Sequence, residues 1–121
     1  MTTILVIEDE TTIRGNLLEL LEVSGYDVFE AENGVVGVEM ARKHHPDLII
    51  CDIRMSELDG FGVLEELQKG PCTAAIPFIF LSASAEMEIA DQGLEKGANA
   101  YLIKPYINAE LLALVHKWLT K

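Results

Sequence analysis

Three carboxylates, one hydroxyl and one amine follow short apolar runs in this sequence of 121 residues. They belong to Glu8, Asp9, Asp52, Ser82 and Lys104. Carboxylates that share a cleft resist ionising together unless a cation compensates for their charge. Oxygen ligands with no His or Cys pattern nearby favour a hard ion, and Mg²⁺ suits them best because it binds through few carboxylates and keeps several waters. If these residues converge, they predict a magnesium site.

A lysine opposite such an ion would hold a phosphoryl group from two sides, which suits the loose transition states of phosphoryl transfer. Asp52 could itself be the nucleophile and form an aspartyl phosphate. Ser82 could donate a hydrogen bond to a phosphoryl oxygen. An aspartate that ends an apolar run is also a common turn residue, so the catalytic interpretation of Asp52 depends on the other polar groups lying beside it.

The elements that would position these residues alternate between strands and helices. The predicted strands are Thr3–Ile7, Asp27–Ala31, Leu48–Asp52, Pro77–Leu81 and Ala100–Ile103. The predicted helices begin near Thr12, Gly34, Gly60, Glu86 and Asn108, with Asn108 as the cap of the last one. This alternation predicts an α/β fold with a mostly parallel, doubly wound sheet. Ligands of such sheets bind at the carboxyl ends of the strands, where all five polar residues fall.

Three smaller patterns predict how the elements pack. The second strand is more polar than the first, which places it near an edge of the sheet. Gly34 and Gly37 lack the Gly-Lys-Ser/Thr that a P-loop needs, so they indicate close packing of a helix. Cys51 lies inside an apolar run and is expected to be a buried small side chain.

Composition narrows the function classes. Apolar residues make up 50% and charged residues 24% of the chain, as in an ordinary globular domain. The net charge of −11 opposes direct contact with nucleic acid or anionic membrane. It suits a metal cation or a basic partner, although charge kept for solubility explains it equally well. No apolar run approaches the roughly 20 residues of a membrane span, and no disulfide pattern is present, so we expect a cytoplasmic domain.

From the first strand to the last helix, the chain resembles the receiver domain of two-component response regulators. The resemblance rests on five short motifs, which are Glu8-Asp9, Asp52, Asp59-Gly60, Ser82-Ala83 and Lys104-Pro105. It implies one receiver domain over residues 1–121, with a five-stranded parallel sheet in the order 2-1-3-4-5 and five helices. Such a fold is a flavodoxin-like sandwich of three layers.

The resemblance also implies the central roles of the site. Asp52 would accept a phosphoryl group from a phosphohistidine on a sensor histidine kinase or a histidine phosphotransfer domain. Asp9, Asp52 and the main-chain carbonyl of Arg54 would bind Mg²⁺. Glu8, which stands where aspartate is more usual, would act mainly through a metal-bound water.

A second set of implied roles concerns the response to phosphorylation. Lys104 would pair with the phosphoryl group, and its bond to Pro105 would be cis. Ser82 would shift toward the phosphoryl group while Tyr101 rotates inward, which changes the face made by helix four, strand five and helix five. An aromatic residue in a buried strand is also commonly a core residue, so Tyr101 has that second interpretation. Arg54 and Ser84 lie where the family tunes the lifetime of the phosphoryl group.

Two other functions remain open at this point. One is a pseudo-receiver, which binds a partner protein without ever being phosphorylated. The other is a Mg²⁺-dependent phosphatase of the haloacid dehalogenase type, which is disfavoured because that family wants a second aspartate where this chain has Arg54. The leading interpretation is not an enzyme beyond assisting its own phosphorylation and dephosphorylation. The sequence does not identify the kinase or the downstream partner, nor whether the chain stands alone or belongs to a longer regulator.

Overall fold

The computed structural model describes residues 2–55, 57–83 and 87–120, and for residues 83 and 87–90 it describes the backbone alone. The strands are β1 (Thr3–Ile7), β2 (Asp27–Ala31), β3 (Leu48–Asp52), β4 (Phe78–Ala83) and β5 (Ala100–Lys104). The helices are α1 (Thr11–Val23), α2 (Gly34–His44), α3 (Gly60–Gln68), α4 (Met87–Glu95) and α5 (Asn108–Leu119). All strand pairs are parallel and their order is β2-β1-β3-β4-β5, which confirms the predicted fold.

The core lies on both faces of the sheet because alternate strand residues point to opposite sides. On one face, Leu5, Ile49 and Phe80 belong to the cluster that α2 and α3 complete. On the other face, Val6 and Ile50 belong to the cluster that α1 and α5 complete. The unbroken apolar sequence of the central strands is thereby explained, since a strand covered on both faces needs no polar side. Within the described part of the chain, no helix is long and apolar enough to cross a membrane.

Two packing predictions are confirmed. β2 lies at an edge of the sheet, where its side chains are more exposed than those of β1. A Cβ atom at Gly37 would lie 2.5 Å from Cδ1 of Ile7, and one at Gly34 would overlap the carbonyl of Leu58. Glycine at these two positions therefore lets α2 approach both β1 and the loop that follows β3.

The structure corrects the predicted ends of three elements. β4 continues to Ala83 because its ladder with β5 pairs Ser82 with Ile103 and Ala83 with Lys104, so Ser82 lies within the strand and not after it. β5 includes Lys104 for the same reason. The predicted cap of α5 is wrong, because Asn108 is its first helical residue and Ile107 occupies the cap position. The Glu110 carboxylate accepts a hydrogen bond from the Ile107 amide at 3.1 Å and so satisfies a backbone N–H at the N-terminal end of the helix.

Candidate functional site

The parallel register brings the predicted polar residues to one edge of the sheet. Ile7 pairs with Cys51, so the next residues, Glu8 and Asp52, emerge side by side from β1 and β3. The Glu8 amide donates a 3.1 Å hydrogen bond to the carbonyl of Ala31, which extends the pairing of β1 with β2 by one step. The positions of Glu8 and Asp52 are thus set by strand pairing.

Three carboxylates converge at this edge. One carboxylate oxygen from each of Glu8, Asp9 and Asp52 lies within 4.8 Å of the others. Their exposure differs greatly, because Glu8 is 1% exposed, Asp52 is half-buried and Asp9 faces solvent. The cluster therefore runs from the protein interior to the surface, and a ligand can reach it from the side of Asp9.

Lys104 supplies the cation next to this cluster. Its ammonium nitrogen lies 3.4 Å from Oδ2 of Asp52 and 3.5 Å from Oε1 of Glu8. Burial alone would lower the pKa of Lys104, but the charges of Asp52 and Glu8 outweigh burial and raise it above its usual range. Lys104 therefore remains protonated and cationic at neutral pH.

The surroundings of Glu8 oppose its ionisation. Burial, followed by the negative charge of Asp52, raises the pKa of Glu8 from 4.5 to about 7. A 3.3 Å hydrogen bond from the Glu10 amide and the charge of Lys104 both oppose this rise. One lysine thus compensates only part of the negative charge, which is the condition under which a divalent cation binds favourably.

The carboxylate of Asp52 is oriented by two different neighbours. Oδ1 accepts a 2.9 Å hydrogen bond from the Ile53 amide, while Oδ2 faces Lys104. Just below it, Cys51 is fully buried and its thiol donates to the Asp52 carbonyl at 3.2 Å. Burial raises the pKa of the Cys51 thiol well above its usual range, so this cysteine is a core residue, as predicted.

The predicted switch residues flank the site on β4 and β5. Ser82 is fully buried and lies one residue beyond Leu81, the partner of Asp52 in the β3–β4 ladder. Tyr101 is half-buried and packs against the core cluster that includes Phe80. Its hydroxyl bonds to the Asp91 carboxylate on α4, and this hydrogen bond raises the pKa of Tyr101. Tyr101 therefore connects β5 to α4.

The remaining predicted residues fall in three places. The Lys104–Pro105 peptide bond is cis, the geometry that the resemblance implied. Arg54 is an exposed residue of the loop after β3, and both its carbonyl ligand role and its tuning role stay predictions. Ser84 lies outside the described residues.

The structure places two residues near the site that are not among the predicted site residues. Arg14, in the first turns of α1, donates from Nη1 to the Glu8 carbonyl at 2.8 Å. Tyr106 is half-buried, and burial is the main cause that raises its pKa. The charge of Lys104 lowers this pKa slightly, while the charges of Glu8 and Asp52 raise it. An arginine that follows an acidic strand end by one and a half helical turns is the only sequence signal that could have indicated Arg14.

The donors at this edge fit Mg²⁺. Glu8, Asp9 and Asp52 provide only oxygen atoms, and one of these carboxylates faces solvent, so a bound ion could retain several waters. Among the described residues, these three form the group of acidic, histidine or cysteine side chains close enough to share an ion. The sequence prediction of a hard-cation site is thus supported by the arrangement of the side chains.

Comparison with known proteins gives the family. The model of the response regulator receiver domain matches residues 4–116. The DNA-binding dual master transcriptional regulator RpaA of Synechocystis sp. is 37% identical over 121 residues, which are 100% of this chain and 50% of that protein. The chain spans about half the length of the curated relatives it matches.

Solved structures agree with this assignment. The response regulator receiver domain protein from Clostridium thermocellum has a TM-score of 0.92 at 30% identity, covering 99% of this chain and 95% of that one. The receiver domain of the sensor histidine kinase PA1611 from Pseudomonas aeruginosa has a TM-score of 0.92 at 29% identity, covering 99% and 98%. That structure holds a magnesium ion in its active-site cleft. By its family match, its fold and its cluster of acids beside a lysine, this chain belongs to the response regulator receiver domains.

Proposed function

We propose that the domain accepts a phosphoryl group on Asp52 from a phosphohistidine of a sensor histidine kinase or a histidine phosphotransfer domain. The observation that carries this proposal is the convergence of Asp52 with Glu8, Asp9 and Lys104 at one edge of the sheet. Phosphoryl transfer depends mainly on positioning and on neutralising charge, and this edge provides both.

In the transfer step, a carboxylate oxygen of Asp52 attacks the phosphorus atom while the bond from phosphorus to the donor histidine nitrogen breaks. The electron pair of that bond stays on the imidazole, which takes up a proton. The Ile53 amide fixes the orientation of the attacking carboxylate through Oδ1, and Lys104 offers a positive charge on the side of Oδ2. Ser82, at the end of β4, would donate a hydrogen bond to a phosphoryl oxygen.

Glu8, Asp9, Asp52 and the carbonyl of Arg54 would hold Mg²⁺. When bound, the ion neutralises charge on the phosphoryl oxygens. Lys104 alone faces at least two carboxylates before any phosphoryl group arrives. The residues of this chain therefore leave a deficit of positive charge that the ion corrects.

The direct test is incubation with Mg²⁺ and acetyl phosphate or phosphoramidate, followed by intact-mass measurement. We expect one labile phosphoryl adduct that requires Mg²⁺ and is lost in Asp52→Asn, whose amide is not a nucleophile of this kind. Glu57→Gln, an exposed change in the same loop, is the matched control and should retain the adduct. No adduct at saturating donor would favour the pseudo-receiver. Repeated turnover of unrelated phosphate esters would favour the phosphatase.

The second part of the proposal concerns signal output through Tyr101. Lys104 would form an ion pair with the phosphoryl group, and Ser82 would shift toward that group. This shift would allow Tyr101 to break its hydrogen bond to Asp91 and rotate inward. In Lys104→Ala we expect phosphorylation to persist while the amide resonances of α4, β5 and α5 keep their unphosphorylated positions. Wild-type shifts in that variant would refute the coupling through Lys104.

The downstream partner is a protein or an output domain of unknown identity. With a net charge of −11, residues 1–121 are unsuited to direct contact with nucleic acid. The Synechocystis relative is named as DNA-binding and is twice as long as the matched region, so the absence of nucleic-acid contact stays a prediction for this segment.

A further inference from the structure

The side chain of Arg14 holds the acidic loop between β1 and α1 at the end that leaves β1. Its Nη1 donates to the carbonyl of Glu8 at 2.8 Å, while the carbonyl of Glu10 accepts the first backbone hydrogen bond of α1, from the Arg14 amide at 2.9 Å. Asp9 is the residue between these two attachment points. The Arg14 side chain therefore fixes the backbone before a carboxylate that the site needs, and the start of α1 fixes the backbone after it.

The guanidinium is itself held in place by the neighbouring edge strand. Its Nε donates to Oε1 of Glu30 on β2 at 2.9 Å. The Arg14 side chain is only 13% exposed, so its rotamer is restricted by packing as well as by these bonds. A planar fork that donates in two directions at once is a property of arginine that lysine lacks.

The loop needs such a restraint because its charges repel. Glu8, Asp9 and Asp52 bring carboxylate oxygens within 4.8 Å of each other, and the main cation facing Glu8 and Asp52 is Lys104. Repulsion favours movement of Asp9, the exposed member, away from the others. A loop fixed at Glu8 and Glu10 has few ways to make that movement.

We propose that Arg14 is a positioning residue for the magnesium site, which it serves by holding the Glu8 carbonyl, and with it the backbone that leads to Asp9, in the geometry that Mg²⁺ requires. The inference rests on the proposed function, since it assumes that these carboxylates bind Mg²⁺. The charge of Arg14 is paired with Glu30, and its bond to the site is made to the Glu8 carbonyl. It acts on the ion through the backbone that carries the ligands, as residues behind metal ligands commonly do.

The test is a Mg²⁺ titration of wild type, Arg14→Met and Arg14→Lys, followed by amide chemical shifts. Arg14→Met keeps the apolar stem and removes every side-chain donor, so we expect Kd for Mg²⁺ to rise about tenfold, the lower end for loss of a residue that supports metal ligands. Arg14→Lys should lie between Arg14→Met and wild type. At saturating Mg²⁺, both variants should accept phosphate from acetyl phosphate at the wild-type rate.

Arg42→Met is the matched control, because Arg42 also pairs with a glutamate, Glu66, but is 52% exposed and lies on α2. It should bind Mg²⁺ like the wild type. Thermal unfolding followed by circular dichroism separates positioning from stability, since a purely structural role would lower Tm and leave Kd unchanged.

Three results would overturn the inference. These are a wild-type Kd in folded Arg14→Met, a wild-type Kd in Arg14→Lys, and phosphorylation that stays slow at saturating Mg²⁺. If Arg14→Met does not fold, Arg14→Lys decides the question by the same criterion. Failure of the wild type itself to bind Mg²⁺ or accept phosphate would instead refute the proposed function, so the two failures are distinguishable.

Discussion

Two clusters in this domain each bring three charges of both signs together. They are the strand-end cluster of Glu8, Asp52 and Lys104 and the helix-surface cluster of Arg42, Glu66 and Lys69. The closest ion pair belongs to the helix-surface cluster, where Lys69 lies 2.7 Å from Glu66, whereas Lys104 lies 3.4 and 3.5 Å from its two carboxylates. Distance alone would therefore rank the surface cluster as the stronger one.

The pKa shifts of the two glutamates, Glu8 and Glu66, show that a short distance is not what distinguishes the clusters. The hydrogen bond and charge of Lys69 lower the pKa of Glu66, as expected for an ordinary ion pair. Burial and a like charge raise the pKa of Glu8 to about 7 even though a lysine is near. The side chain of Glu66 is 37% exposed and that of Glu8 is 1% exposed. Solvent thus screens the charges at the surface, whereas burial leaves the repulsion between Glu8 and Asp52 unscreened at the strand ends.

The repulsion between the buried carboxylates at the strand ends has a functional consequence. The strand-end cluster carries a cost in the absence of an ion, and a ligand that brings positive charge relieves that cost when it binds. In the helix-surface cluster, Glu66 is already neutralised by two cations and gains nothing from a ligand that brings positive charge. This difference separates a binding site from an ion pair more clearly than the number of charges does.

The largest expected effect comes from removing the buried acid. The folded protein holds the proton of Glu8 up to about pH 7, while the unfolded chain releases it near 4.5. Wild-type stability should therefore fall as pH rises between these values, and the loss should be complete above about pH 7. Glu8→Gln lacks this titration. In Mg²⁺-free buffer its free energy of unfolding should rise relative to wild type by about 3 kcal/mol between about pH 4 and pH 8.

Urea denaturation across this pH range measures the difference directly. Addition of Mg²⁺ at about pH 8 should stabilise the wild type and shift Glu8→Gln less, because the ion compensates a charge that the glutamine does not carry. Parallel pH profiles of the two proteins would show that folding does not raise the pKa of Glu8, and the contrast between the clusters would then fail.

The fold could be predicted closely because its signals are local. Apolar runs such as Leu48–Asp52 and the alternation with helices fix the parallel sheet, and the family motifs fix the strand order. The ends of strands were less certain, since the extension of β4 to Ala83 depends on pairing with β5, which is a contact between distant parts of the sequence. The cap of α5 was missed because Asn108 is a good capping residue in general, yet here Glu110 serves the Ile107 amide instead.

The residues of the site could be predicted from the sequence, but their burial and ionisation could not. The types of Glu8, Asp9, Asp52 and Lys104 and their places at strand ends indicate that they meet, and the carboxylates and the lysine do meet. Their burial could not be read from the sequence, so the raised pKa of Glu8 could not be either. Arg14 was missed because its bond to the Glu8 carbonyl is a contact with the backbone, which leaves no pattern of residue types.

The smallest expected effect is at the helix-surface cluster, through Glu66→Gln. The lowered pKa of Glu66 means that its ion pairs stabilise the fold above pH 4.5 and that this contribution disappears as pH falls through the lower, folded-state value. Exposed pairs lose most of their attraction to solvent and salt, so we expect only a slight loss of stability in urea at neutral pH. The loss should vanish in 1 M NaCl, where the screening length is about 3 Å. Mg²⁺ binding should be unchanged, because Arg42, Glu66 and Lys69 lie at the C-terminal ends of α2 and α3, whereas the site carboxylates lie at the C-terminal ends of the strands. A change in Mg²⁺ affinity, or a loss of stability as large as the effect at Glu8, would mean that burial is not what distinguishes the two clusters.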